Sequence, residues 1–176
     1  MTQVRFAILT VLFALFGFTI SALGQRVQGQ VTEVTDGRTL KLRVNSSDIS
    51  VTLQFVETPS DDQPLAGTVR DHLSKLALGR TASCEIRGVK FNRSFGRVVI
   101  DGTDVSQQML RDGAAWLIPH EISGQSIDEY QAYQKLEAAA KSEKRGVWSV
   151  SGLMPSWLAE QTVAPNSGGK NSAIQG

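Results

Sequence analysis

Between Val27 and Val56, apolar and polar residues alternate with the two-residue period of half-buried strands, and turn-forming residues interrupt the alternation twice. Three strands are predicted. The first covers Val27 to Val34 and turns at Asp36-Gly37, a strong hairpin dipeptide; the second is Thr39-Leu40-Lys41-Leu42-Arg43-Val44. Asn45 to Asp48 makes the next turn, and the third strand runs from Ile49 to Val56 with Ile49, Val51, Leu53 and Phe55 on one face. That puts Thr52 and Gln54 on the other face, Thr52 where a ligand can meet it. The period then changes. Leu65, Val69, Leu73 and Leu76 repeat at helical spacing, with Gly79 as the stop. Two more strands flank a basic connection from Arg87 to Arg97, the second passing through Val98-Val99-Ile100 into a turn at Asp101-Gly102. Val105 to Asp112 reads as a short helix ended by Gly113. A last helix opens at Ser126, where Glu129 three residues on completes a capping box, and it stops before Gly146. Five strands with about three helices make an α+β chain, and 176 residues suit one domain with its own core.

The two ends differ from this body. Arg5, the uncharged apolar run from Phe6 to Ile20, and the small residues of Ser21-Ala22-Leu23-Gly24 have the form of a signal peptide over residues 1–24. Cleavage after Gly24 implies export to the periplasm or the medium. The alternative is an N-terminal membrane anchor, because no charge separates Arg5 from Arg26. The folded domain is then 25–159, a monomer with no stable membrane partner after cleavage. Residues 160–176, rich in Gly, Ser, Asn and Ala, read as a disordered tail, with Trp157 pinning the last ordered segment.

Charge narrows the function classes. Taking Arg5 from the 18 basic residues leaves 17, against 17 acidic ones, so the mature chain is formally neutral. Broad duplex binding rests on phosphate neutralisation and needs a basic face, which argues against it here. A local set, Arg87, Lys90, Arg93 and Arg97, offers a small anion site or else an ordinary solvated loop. Cys84 is the single cysteine, so no intramolecular disulfide exists, and its strand-like context suits a buried inert thiol. His72 and His120 are the two histidines, which excludes zinc-protease and zinc-finger spacings. His72 borders a helix face; His120, after Pro119 in a loop, reads as solvent-exposed.

Several short motifs then fall in a telling order: Val34-Thr35-Asp36-Gly37-Arg38-Thr39-Leu40, Val56-Glu57-Thr58-Pro59-Ser60, Gly79-Arg80, Phe95-Gly96-Arg97, and Asp101-Gly102-Thr103-Asp104-Val105. Arg111-Asp112-Gly113-Ala114-Ala115-Trp116 and Lys144-Arg145-Gly146-Val147-Trp148-Ser149 follow. Their order and spacing, over roughly Gln28 to Trp157, resemble the micrococcal (staphylococcal) nuclease family. The resemblance implies a five-stranded OB-fold barrel. It also implies an active site in which two aspartates and a backbone carbonyl hold Ca2+, a glutamate works near the attacking water, and two arginines clamp the phosphate. Phosphodiester cleavage demands such groups, because negative charge develops on the phosphate oxygens.

Carried over residue by residue, the resemblance is incomplete. Arg38 stands where a calcium-ligand aspartate belongs, Glu57 replaces the second ligand aspartate, Ser60 replaces the glutamate, and Thr52 replaces the first clamp arginine. Arg97 keeps the second. The catalytic candidates are therefore Arg97 and Glu57, with Thr52 and Ser60 at altered positions. The anion-binding candidates are Arg38, Arg93 and Arg97, and the metal candidates, if any metal binds, are Glu57, Thr58 and Asp61. No cofactor is expected, Ca2+ being the one candidate. Partners implied are nucleic acid or another phosphorylated or anionic ligand. The expected function is a nuclease-like protein with lost or altered calcium-dependent phosphodiesterase activity and a retained anion cleft. Two alternatives stand beside it: an active exported nuclease using Glu57 with Asp61 or Asp62, and an envelope or exopolysaccharide accessory protein.

Overall fold

The computed structural model describes residues 25–90 and 93–163. Strand β1 (Gln25–Val34) pairs antiparallel with β2 (Thr39–Val44) on one side and, across its N-terminal half, with β5 (Thr81–Lys90) on the other. β2 continues the meander into β3 (Ser47–Leu53), and β5 forms a long hairpin with β6 (Arg93–Ile100). β3 then meets β6 in parallel, Val51 opposite Ser94 and Leu53 opposite Gly96, which joins the two ends of the sheet. Five strands thus close into the barrel that the sequence implies, and closure removes the free edges that an open sheet exposes.

Around the barrel lie β4 (Val56–Glu57), α1 (Ala66–Ala77), β7 (Thr103–Asp104), α2 (Val105–Arg111) and β8 (Trp116–Leu117). After them come α3 (His120–Ser123), α4 (Ile127–Ser142), a 3-10 turn at Gly146–Ser149, and α5 (Ser156–Val163). The described residues therefore hold five α-helices where about three were expected. Val31, Leu40, Leu42, Val51, Leu53, Ala82, Cys84 and Val98 fill the barrel, and Leu73, Met109, Trp116 and Tyr133 join them in one continuous core. Ser126 accepts from the Glu129 N–H, but the Glu129 carboxylate turns to Arg87 instead of completing the box, and Gly79 and Gly113 take the left-handed backbone after α1 and α2.

Four local expectations are overturned. The third strand does not run through to Val56, because Phe55 adopts a φ of 68° and turns the chain between β3 and β4. Thr52 is not open to a ligand: it is buried, and its Oγ1 lies 3.3 Å from that of Thr39, its register partner. Arg87 to Lys90 and Arg93 to Arg97 are not loop but the paired upper half of β5 and β6, whose charged outer face hid the strand period. His120 is half-buried at the start of α3, its ring 5.9 Å from that of Tyr130, and its Nδ1 is buried without a partner. His72 sits on α1 as expected, 2.9 Å from the Asp112 carboxylate. The expected signal peptide and the end of the tail lie outside the described residues; α5 itself runs on through Gln161 to Val163.

Cys84 is fully buried, and that burial pushes its thiol up to about 12. A thiol-reactive dye at neutral pH will therefore leave the folded protein unlabelled and react at the rate of opening or unfolding. Rapid labelling under native conditions would contradict this burial.

Candidate functional site

The motif residues gather where the β1–β2 turn meets the loop after β4. The turn is held by its own groups: the Thr35 N–H donates to the Thr39 carbonyl at 2.9 Å, and the Arg38 N–H donates to Asp36 Oδ1 at 2.8 Å. Aspartate favours this local bond, which is one reason it occurs at turns. Gly37 is required for space. A Cβ there would stand 2.7 Å from Thr58 Oγ1 and 2.9 Å from Val69 Cγ1, so the turn packs directly on the Thr58 loop and on α1.

Glu57 reaches the same place through the short pairing of β4 with β8, in which it lies opposite Trp116. Its Oε1 accepts from the Ser156 N–H at 2.6 Å, so its carboxylate caps the first turn of α5. The loop between is closed by Gln63, which accepts from the Ser60 N–H at 2.9 Å and donates to the Met154 carbonyl at 3.1 Å. The result is a cavity of about 250 Å³ lined by Asp36, Arg38, Glu57, Thr58, Ser60 and Asp61 among others. Asp62 is exposed and does not line it.

The acids of this cavity already serve the backbone. One Asp36 oxygen is committed to the Arg38 N–H and one Glu57 oxygen to the Ser156 N–H, while a guanidinium shares their cavity. Ca2+ takes six to eight oxygen ligands, and a fixed cation beside it is repulsive. Among the described residues, no three His, Cys, Asp or Glu side chains are grouped to hold a metal.

Arg38 is half-buried. Its Nη1 donates to the Val56 carbonyl at 3.3 Å, and among the described residues it forms no ion pair, with Glu57 or with another acid. It also lines a second, larger groove of about 430 Å³, bounded by Leu53, Gln54 and Phe55 at the β3–β4 break, by Phe95 of β6, and by Ile118 and Ile122 near α3. Arg38 thus stands on the border between the polar cavity and an apolar groove.

Arg97 is elsewhere. Its Nε donates to Asp104 Oδ2 at 2.7 Å, the Tyr133 hydroxyl donates to the same oxygen at 2.8 Å, and the Gln107 N–H donates to Oδ1 at 3.2 Å. The Asp104 side chain is 3% exposed. This junction ties β6 to the start of α2 and to α4. The hydrogen bond to Asp104 raises the Arg97 guanidinium further, and burial, followed by the Asp104 charge, raises the Tyr133 phenol. Arg97 therefore belongs to a structural junction and is not placed with Arg38 or Glu57. Arg93 is exposed at the end of the hairpin opposite Lys90 and lines neither space. Arg87 is held by Glu85 and Glu129, so Arg87, Arg93 and Arg97, expected to act together, do not form one site.

Sequence reasoning missed the apolar groove. Its wall at Ile118 and Ile122 depends on α3, whose signals were Pro119 before the helix and Gly124, at a φ of 63°, after it. Gln54 and Phe55 line the groove because the strand breaks there, and no composition signal marks that break.

Comparison with known proteins bears on the same region. The sequence pattern of the family described as staphylococcal nuclease homologue matches residues 50–150. An uncharacterised endonuclease of Escherichia coli O157:H7 is 27% identical over 146 residues, covering 82% of this chain and 92% of that one. A micrococcal nuclease of Shigella flexneri is 24% identical over 140 residues, covering 74% and 78%. Staphylococcal nuclease domain-containing protein 1 of Schizosaccharomyces pombe is 25% identical over 143 residues, 73% of this chain and 16% of that protein.

Proposed function

Because the chain belongs to the family of staphylococcal nuclease homologues, we propose that it is a nuclease-fold protein without calcium-dependent phosphodiesterase activity, whose cleft holds a phosphate or related anion on Arg38. One observation carries this reading. The Arg38 guanidinium lines the cavity in which Asp36 and Glu57 have turned their carboxylates to backbone N–H groups. A guanidinium beside such a cavity favours carboxylate and phosphate anions, whose paired oxygens it meets with paired N–H donors. Relatives named as an endonuclease and a micrococcal nuclease make a nucleic-acid phosphate one anion to test beside others. Export through residues 1–24 forms part of the same proposal, supported by Arg5, the apolar run and the small-residue exit.

The test uses the full mature chain with inorganic phosphate and with a labelled single-stranded oligonucleotide, with and without millimolar calcium. Calcium is expected to leave the melting temperature unchanged and to produce no cleavage. Arg38→Gln is expected to weaken phosphate and oligonucleotide binding roughly 10- to 150-fold, the equivalent of one charged hydrogen-bonding group. Arg97→Gln should leave affinity for these anions unchanged. Calcium-dependent stabilisation together with cleavage would overturn the proposal and favour an active site built from Glu57 and Asp61, which line the same cavity.

A further inference from the structure

The groove beside Arg38 has a chemistry of its own. Leu53, Phe55, Val89, Phe95, Ile118 and Ile122 supply apolar walls, and the polar side chains on it are Arg38, Gln54 and Ser123. Two rim residues are unusually open: Val89 of the hairpin is 69% exposed and Ile122 of α3 is 59% exposed. Aliphatic side chains on two separate elements, flanking one groove, mark a surface that gains by being covered. The volume of about 430 Å³ lies within the range of ligand clefts, roughly 300–1,000 Å³.

We propose that this groove binds a linear aliphatic anion of the fatty-acid type, its carboxylate on Arg38 and its chain along Phe95, Ile118 and Ile122. The inference rests on the reading of Arg38 as an anion site and names the ligand class. Charge complementarity selects the head group, since Arg38 is the one charged side chain lining the groove and has no carboxylate partner among the described residues. The walls select the body. A nucleobase stacks on open aromatic faces; Phe55 is 5% exposed, set edge-on to Tyr133 and lying under the Arg87 guanidinium at 5.4 Å, which leaves the half-buried Phe95 as the single aromatic wall with open surface. A base would also press polar edges against aliphatic side chains, at the cost of unmet hydrogen bonds. An extended peptide would need backbone partners, yet the Gln54 N–H is bonded to the Gly96 carbonyl and the Phe55 carbonyl to the Ile118 N–H. An alkyl chain needs neither.

Calorimetry on the full mature chain, below the micellar concentration of each ligand, tests this with octanoate, decanoate, decanol and a deoxynucleoside monophosphate. Decanoate is expected to bind at least tenfold more tightly than decanol or the nucleotide. Each methylene between octanoate and decanoate should tighten binding roughly fourfold. Arg38→Gln should cost decanoate about tenfold or more and leave decanol unchanged, whereas Ile122→Asp should weaken both. Circular dichroism and melting of each variant establish that it is folded. A nucleotide that binds more tightly than decanoate, and is displaced by Ile122→Asp, would overturn the aliphatic ligand and leave Arg38 as a phosphate site. Phosphate and decanoate binding that are both insensitive to Arg38→Gln would overturn the anion site itself.

Discussion

Asp104→Ala will lower the stability of the domain by about 3 kcal/mol and its melting temperature by about 10 °C. The side chain is 3% exposed and serves three donors at once: Arg97 Nε, the Tyr133 hydroxyl and the Gln107 N–H at the start of α2. Losing a helix N-cap costs about 1 kcal/mol. Leaving the Tyr133 hydroxyl buried and unpaired adds roughly 1–3 kcal/mol. The Arg97 side chain is 41% exposed and recovers water, so the freed guanidinium adds little. Asp104→Asn keeps an acceptor for Tyr133 and for the cap, and should cost about half as much. Chemical denaturation of the two variants, with phosphate binding measured in parallel, separates the junction from the site. A stability loss under 1 kcal/mol for Asp104→Ala, or a selective loss of anion binding, would return Arg97 to a functional role.

Gly146→Ala should be at least as damaging, about 3 kcal/mol, although it adds a single methyl group. Gly146 has a φ of 50°, and a Cβ there would stand 2.2 Å from the Gly113 carbonyl oxygen, a backbone atom that cannot rotate away. The two glycines form a mutual crossing: a Cβ on Gly113 would meet the Arg145 carbonyl at 2.5 Å, and the Val147 N–H donates to Gly113 O at 2.8 Å. Left-handed strain costs roughly 1–2 kcal/mol for a non-glycine residue, and overpacking adds 1–3 kcal/mol. Gly124→Ala is the control. It shares a positive φ, 63°, but its Cβ meets nothing within 4 Å, so it should cost only the strain. Equal losses in equilibrium unfolding of the two variants would show that the Gly113–Gly146 crossing relaxes.

Two carboxylates of the polar cavity serve the backbone. At Asp36 and Glu57 the chain still carries acids where its family resemblance places them, but their oxygens accept from Arg38 and Ser156 N–H groups. An acid that caps a helix or closes a turn is stabilising in place, and withdrawing it to a metal would cost those bonds. Substituting Arg38 alone would therefore leave a cavity in which Asp36 and Glu57 already serve the backbone, with Asp61 beside them.

The sequence by itself determined the strands β1, β2, β5 and β6 in outline, the helices α1, α2 and α4, their caps, and the family to which the chain belongs. Those features are local: a two-residue or helical period, a capping serine at Ser126, a glycine after each of α1 and α2. It also named Arg38, Glu57 and Asp61, which do share one cavity. Only the tertiary structure decided which charged residues work together. Thr52 disappears against Thr39, Arg97 is drawn to Asp104 and Tyr133 across gaps of 7 and 29 residues from Asp104, and Glu57 is claimed by Ser156, 99 residues away. Side chains of the same charge and spacing carry no mark of their partners, because a partner is set by where closure of the barrel brings distant elements, and closure depends on the whole chain.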